Sequence, residues 1–261
     1  MNNITIILPV YLYSDELKEM FKKAIGSIPV DDDGKALYPV TVVGPKNIID
    51  NYKTSGFESV VDITYLENEK SDFQTQINFA AKECKTPYFS ILEIDDQYNK
   101  NWFSNVEEHI EKLPTVPFFI PLTEIFSLSS NNPVAVGFAN EIALTVAYSD
   151  NIGYIGLDEL EAFSEFNCTG GVFRVDDFLS IGGLKPSLKI VFWYEFLMRA
   201  AKNHKEVYVI PKLGYKHFVH RPGSLMEQIS SEVDEDEAKF WFETARQEYH
   251  FTEDRKKEYK K

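Results

Sequence analysis

The chain has little cysteine. Cys84 and Cys168 are the two in 261 residues, and their spacing suits neither a disulfide framework nor a metal cluster. They read as reduced thiols of a reducing compartment, which makes a cytoplasmic protein the expectation. Long apolar runs are also missing. No window approaches the roughly 18 apolar residues that a membrane helix needs, so no span is expected. The opening Met1-Asn-Asn-Ile4 lacks the charged and apolar regions of a secretory leader. Basic charge is in deficit: 27 Lys and Arg against 41 Asp and Glu give a net charge of −14. That argues against a general binder of nucleic acid or anionic membrane. The turn Pro9-Val-Tyr-Leu-Tyr-Ser14 holds no glycine and no lysine. A nucleotidyltransferase, one alternative for this chain, should carry a glycine-rich basic phosphate loop there.

Apolar and aromatic bulk is plentiful. Apolar residues are 44% and aromatics 14% of the chain, enough for the core of one large domain or two small ones. Ile4 to Val10 is a near-continuous apolar run, as in a strand buried on both faces. Ser14 caps a helix with Leu17, Met20, Phe21, Ala24, Ile25 and Ile28 at spacings of three and four. Pro39 to Val43 and Val60 to Leu66 read as the next two strands. Ser71-Asp-Phe-Gln74 has capping-box form and opens a helix with Phe73, Ile77, Ala80 and Cys84 on one face. Asn101 caps a further helix. This alternation predicts an α/β fold, with a mostly parallel sheet and helices on both faces over roughly the first 120 residues.

The second half is less regular. Pro114 to Pro121 reads as a strand interrupted by prolines, and Phe166 to Phe173 as one broken by Gly170-Gly171. Asp176 to Ile181 and Leu188 to Asn203 read as helices, and Val207 to Ile210 and Tyr215 to Val219 as separate late strands. Ser127 to Glu165 shows no clear period and reads as a binding loop or lid. Val233 to Tyr249 is an acidic amphipathic helix, followed by a charged tail to Lys261.

The segment from Pro87 to Tyr98 carries the chemistry. Tyr88 to Leu92 is a strand that runs straight into Glu93, Asp95 and Asp96. In α/β sheets ligands bind beyond the carboxyl ends of strands. Clustered carboxylates there repel each other unless a cation joins them, and hard oxygen ligands select Mg²⁺, Mn²⁺ or Ca²⁺. A metal so held is the usual partner of a diphosphate.

With these pieces in order, the chain resembles a GT-A glycosyltransferase of the family-2 type over about residues 3 to 225. The first strand and turn, Ile4 to Tyr11, match that family's opening strand, and the helix carrying Gln74 and Asn78 matches the one before its metal strand. Leu92-Glu-Ile-Asp-Asp96 stands where the family has Asp-x-Asp. Asn167 to Arg174 with Ile181-Gly-Gly-Leu184 match its acceptor-side glycine segment, and His217 to Ser224 the segment that closes over the diphosphate. The resemblance implies a nucleotide-sugar half over 1–120, an acceptor half over 121–225, and an appended acidic helix and tail over 226–261.

The resemblance also implies roles. Pro9, Tyr11, Gln74, Asn78, Glu93 and Arg221 would contact the nucleotide sugar. Asp95, His217 and His220 would hold Mn²⁺ or Mg²⁺, and Gly170, Gly171 and Trp193 would face the acceptor. This chain departs from the pattern at three places. Glu93 replaces the first Asp of the motif, and Thr41-Val-Val-Gly44 lacks the acid that many relatives use to hold the base. Phe192-Trp193 stand where relatives carry a Glu-Asp pair, which leaves Glu195 as the nearest candidate general base. The implied reaction moves a sugar to an acceptor hydroxyl. An envelope or capsule glycan is the favoured acceptor and a viral modified-DNA base the other, since the Asn-, Lys-, Ile- and Phe-rich composition suits an AT-rich genome. A nucleotide-sugar-binding module without activity is the second alternative. The stretches Ser127–Glu165 and His217–Leu225 are expected to close over the donor.

Overall fold

The computed structural model describes residues 3–53, 61–128, 133–149, 151–221, 224 and 233–250. Strand β1 (Ile4–Pro9) is buried along its length and lies at the centre of a parallel array. Helix α1 (Asp15–Gly26) follows, with the Ser14 side chain accepting from the Leu17 amide at 3.1 Å. Then come β2 (Val40–Gly44), α2 (Lys46–Tyr52), β3 (Ile63–Glu67), α3 (Phe73–Glu83) and β4 (Tyr88–Ile91). Asp72, not Ser71, caps α3, accepting from the Thr75 amide at 2.8 Å. Helix α2 escapes periodicity because seven residues make barely two turns. β1, β2, β3 and β4 all pair in parallel, in the order β3-β2-β1-β4.

The rest of the chain extends this sheet with mixed pairing. β5 (Gln97–Tyr98) and α4 (Trp102–Lys112) precede the long β6 (Phe118–Ser127). The stretch expected to be a loop holds β7 (Val134–Ala139), a 3₁₀ turn at Glu141–Leu144, β8 (Tyr154–Ile155) and α5 (Leu157–Ala162). These elements are too short to show a period, which is why the sequence reads as structureless there. Next are β9 (Val172–Arg174), α6 (Val175–Ser180), α7 (Phe192–Lys202), β10 (Val207–Val219) and α8 (Glu235–His250). The expected tail beyond 250 lies outside the described residues, as do 222, 223 and 225 of the expected closing segment.

β9 bridges the two halves, antiparallel to both β4 and β6. β6 and β10 then run in parallel for their full length. The two late strands expected from sequence are therefore one strand. Its register shifts between Ile210 and Tyr215, just past the pairing of Ile210 with Pro121. Proline has no N–H to give to a ladder, and a bulge is the usual accommodation. The bulge lets β6 pass through Pro121 and reach Ser127.

Side chains alternate between the two faces. Ile7, Phe89, Ile91, Phe118 and Ile120 join one core with Phe73, Ile77, Phe178 and Phe196 of α3, α6 and α7. Ile6, Leu8, Val40, Val42 and Phe119 join the other with Phe21, Tyr52, Phe103 and Val106 of α1, α2 and α4. Helices thus cover both faces, as the sequence pattern requires.

One turn ties β4 to β10. Gly170 has φ +74, its amide donates to Ile91 O at 3.0 Å, and a Cβ there would overlap the Tyr215 ring. Its carbonyl accepts from Trp102 Nε1 at 2.8 Å, while Ser90 Oγ donates to Gly171 O at 2.9 Å. Both glycines are buried, and packing accounts for them without an acceptor sugar. Gly170→Ala is expected to cost about 1–3 kcal/mol, from the left-handed backbone and the overlap together. Denaturant titration measures it, and a loss under about 0.5 kcal/mol would show that the turn tolerates a side chain.

Candidate functional site

The loop leaving β4 carries Glu93, Asp95 and Asp96 to the carboxyl end of the sheet, and the end of β10 meets them there. Asp96 is fully buried, yet both its oxygens are engaged. Oδ1 accepts from the Phe218 amide at 2.8 Å, and Oδ2 lies 2.9 Å from His217 Nδ1. Asp95 pairs instead with Arg221, whose Nε donates at 2.7 Å to Oδ2. Both side chains of that pair are nearly buried, 11% and 6% exposed, so solvent screens the pair poorly. The Glu93 amide donates to Tyr215 Oη at 3.0 Å. Its carboxylate accepts no hydrogen bond from another described residue. One ligand atom each from Glu93, Asp96 and His217 lie within 4.8 Å of one another.

The electrostatics follow from that crowding. Burial and then the Asp96 charge push Glu93 up to about 8. Burial likewise raises Asp96, against the pull of His217 and the Phe218 amide. Burial opposes charge on His217, but Asp96, Glu93 and Asp95 outweigh it and raise its pKa to about 9. Tyr11, in the loop after β1, has its phenol pushed up by burial and then by Glu93 and Asp95. Tyr11, Glu93, Asp95, Asp96, His217 and Arg221 therefore share one field.

Other expected site residues are elsewhere or otherwise engaged. His220 is exposed, has φ +59, and its Nδ1 lies 3.2 Å from Ser127 Oγ, not against the carboxylates. Gln74 donates to Leu188 O at 2.6 Å, and Asn78 clasps Leu184 through both N–H and C=O, at 2.8 and 2.6 Å. They hold the 184–188 segment to α3 and do not present free amides to a nucleotide. Trp193 stacks on Phe173 at 5.7 Å and meets Phe73, Phe192 and Phe196, so it packs against the core while staying partly exposed. Pro9 ends β1 opposite Val43, fully buried in the sheet.

Glu195 requires the largest correction. It is 2% exposed and its two oxygens accept from Arg199 Nε and Nη2, each at 2.9 Å. Lys185 Nζ lies 2.8 Å from Oε1. Arg199 in turn donates to the carbonyls of Ile181 and Gly183. Glu195 thus sits among cations as the centre of a buried clamp between α7 and the 181–184 turn, with both its oxygens occupied.

Sequence reasoning weighed Asp95 over Asp96 as the metal ligand and treated His217 and His220 alike. Strand alternation separates the two histidines, because His217 shares a face with Tyr215 and His220 lies beyond the strand. No signal in the sequence separates Asp95 from Asp96.

No protein-family model matches the chain, and no curated protein sequence does. Solved structures do. The S. aureus TarS fragment 1–349 with UDP-GlcNAc superimposes with a TM-score of 0.63 at 14% identity, covering 97% of this chain and 68% of that one. Another S. aureus TarS structure gives 0.57 and 14%, covering 95% of this chain and 43% of that one. The mannosyltransferase PcManGT of Pyrobaculum calidifontis, with GDP-Man and Mn²⁺, gives 0.56 and 14%, covering 85% of this chain and 58% of that one. At such identity the likeness establishes the fold, which is the GT-A fold. No described helix is long and apolar enough to cross a membrane.

The clamp yields a test. Removing one charge from a buried, fully hydrogen-bonded ion pair costs about 3–5 kcal/mol. Glu195→Gln is therefore expected to lower unfolding free energy by about that amount, and Arg199→Met similarly. A Glu195→Gln protein with wild-type stability would restore Glu195 as a candidate general base.

Proposed function

We propose that this chain transfers a sugar from a nucleotide-sugar donor to an acceptor hydroxyl, with a divalent metal at the end of β4. The observation that carries this reading is the convergence of Glu93, Asp96 and His217 on a GT-A sheet, with Arg221 beside them. The donor set suits such an ion. Two carboxylates and an imidazole, with Glu93 raised to about 8 by burial and like charge, form a site short of positive charge. Imidazole beside carboxylates favours Mn²⁺ over Mg²⁺. The bound metal would neutralise charge developing on a leaving diphosphate.

The chain's own groups divide the remaining work. Arg221 offers guanidinium N–H groups to a diphosphate, with Asp95 holding it in place. Tyr11 presents a phenol to the same space and stays protonated there, so it donates. His217 is oriented by Asp96, which fixes Nδ1 and leaves Nε2 for a ligand. Asp95, first choice as a ligand from sequence, acts in this reading as the partner of Arg221. The acceptor is proposed as a glycan of a cell envelope or capsule, with a DNA base as the other candidate, in a cytoplasmic setting. The commitment of Glu195 to Arg199 and Lys185 is the observation that favours the second reading, a donor-binding module without transfer.

Hydrolysis of UDP- and GDP-sugars with and without Mn²⁺ separates the two readings. Release of free sugar that depends on Mn²⁺ supports an enzyme. Metal-dependent binding without turnover supports the module. Asp96→Asn and His217→Gln should each abolish the rise in melting temperature that nucleoside diphosphate and Mn²⁺ produce together. An undiminished rise in both variants would remove the metal from this site.

A pH test is independent of substrate. Glu93 and His217 bind protons more tightly in the native state than at their ordinary values of 4.5 and 6.5. The native state therefore holds extra protons between pH 4.5 and about 9, and metal-free stability should fall as pH rises through that range. Mn²⁺ needs deprotonated ligands, so its stabilising effect should grow over the same interval. Thermal unfolding at pH 6 and pH 9 reads both, and His217→Gln should flatten the slope. Metal-free stability that rises toward pH 9 would contradict the assigned protonation.

A further inference from the structure

The three acids after β4 are positioned in different ways. Asp96 is held at both oxygens, by His217 and the Phe218 amide, and Asp95 is held by Arg221. The Glu93 carboxylate has no such bond among the described residues, so its place is set through its own main chain. That main chain is fixed on both sides of the residue. The Glu93 amide donates to Tyr215 Oη at 3.0 Å, and the Glu93 carbonyl accepts from the Asp96 amide at 3.1 Å.

The phenol takes the place of a missing strand. β4 pairs with β1 on one side and with β9 on the other. The Leu92 amide still donates to Ile7 O of β1, at 2.9 Å. Backbone groups of successive strand residues point to opposite neighbours, so the Glu93 amide faces the β9 side. The β9 segment has already turned off there, its last bond running from the Gly170 amide to Ile91 O. Tyr215 fills the gap from β10, where its backbone pairs with Tyr98 of β5 and Thr123 of β6. Its side chain is fully buried, lies against Gly170 with no room for a Cβ, and meets the Tyr98 ring edge-on at 5.4 Å. Burial, then the charges of Asp96 and Glu93, push its pKa up, so the phenol stays neutral. A side chain without freedom thus ties the first acid of the cluster to the strand that carries His217.

We infer that Tyr215 is a positioning residue for the divalent metal, holding the Glu93 main chain so that its carboxylate lies with Asp96 and His217. This rests on the proposed metal reading and deepens it. A glutamate side chain is long and loses rotamer freedom when a metal orders it. A mobile backbone beneath it would add to that loss. Fixing the backbone in advance lowers it, which is the general effect of partners that support metal ligands from behind. Tyr98 provides the matched control. It is buried too, and its Oη lies 2.8 Å from Ser90 Oγ, yet its hydroxyl bonds to none of the three acids.

The test is Mn²⁺ affinity, read from the spin-resonance signal of free Mn²⁺ with UDP and, separately, GDP present. Tyr215→Phe should bind Mn²⁺ about tenfold more weakly than the wild type, the scale for losing a group that supports a metal ligand. Tyr98→Phe loses a comparable buried hydroxyl and should bind Mn²⁺ as the wild type does. In a Glu93→Ala background no carboxylate is left to position, so Tyr215→Phe should change affinity less than about twofold. Another arm needs no variant: in the metal-free wild type the Glu93 amide should already be protected from hydrogen exchange. Unchanged affinity in Tyr215→Phe, an equal loss in Tyr98→Phe, or a tenfold loss that persists without Glu93 would overturn the inference and leave the metal reading standing. A Glu93 amide that exchanges freely until metal is added would do the same. Wild-type affinity in Glu93→Ala would remove Glu93 from the metal, and this inference with it. A wild type that binds no Mn²⁺ with either nucleotide would overturn both.

Discussion

Three carboxylates share the exit of one buried strand, and the arrangement around them follows from the need to balance that charge. Glu93, Asp95 and Asp96 stand within four residues of each other in sequence space too short for the chain to separate them. An uncompensated buried carboxylate is expensive, so each must find a proton, a cation or backbone N–H groups. The far end of β10 supplies His217, the Phe218 amide and Arg221. β10 can deliver them only because it runs parallel to β6 for its whole length, past a bulge opposite Pro121. The late strand thus completes a site begun by a strand more than a hundred residues earlier. Glu93 is left with the least compensation, and its raised pKa measures that deficit.

A second buried charge system performs a different task with the same chemistry. Glu195 and Arg199 meet one helical turn apart, and Arg199 continues to two carbonyls of the 181–184 turn. Asn78 holds the same turn from α3 through Leu184. This network joins α3 and α7 through one segment beside the sheet. It is fully hydrogen-bonded, whereas the site at β4 is not. That contrast separates scaffold from site more clearly than residue type does, since both contain buried carboxylates. On the proposed reading, the deficit at Glu93 is the seat of a metal.

The first half of the fold was legible because its constraints are local. A strand buried on both faces must be apolar throughout, as Ile4–Pro9 is, and a helix on such a sheet must repeat every three to four residues, as Leu17, Phe21 and Ala24 do. Ser14 stands where unpaired amides need an acceptor. The carboxylate segment was legible for the same reason, since three acids directly after a buried strand have nowhere else to be. By contrast, α2, β7, β8 and α5 are short and lean on neighbours, so no period marks them.

The sequence by itself determined the parallel α/β core and the cluster of acids at the end of β4, because burial pattern and chain proximity act over a few residues. Tertiary structure decided which acid meets which cation. Asp95 and Asp96 are adjacent and alike, and only the approach of β10 gives one to Arg221 and the other to His217. It also decided that Gln74, Asn78 and Glu195 are engaged within the fold, because a side chain's partners come from elements far away in sequence. The pairings that define this site span more than 120 residues, Asp96 to His217 being 121 apart and Asp95 to Arg221 126 apart. A contact of that range is set by sheet order and register, neither of which a local pattern encodes.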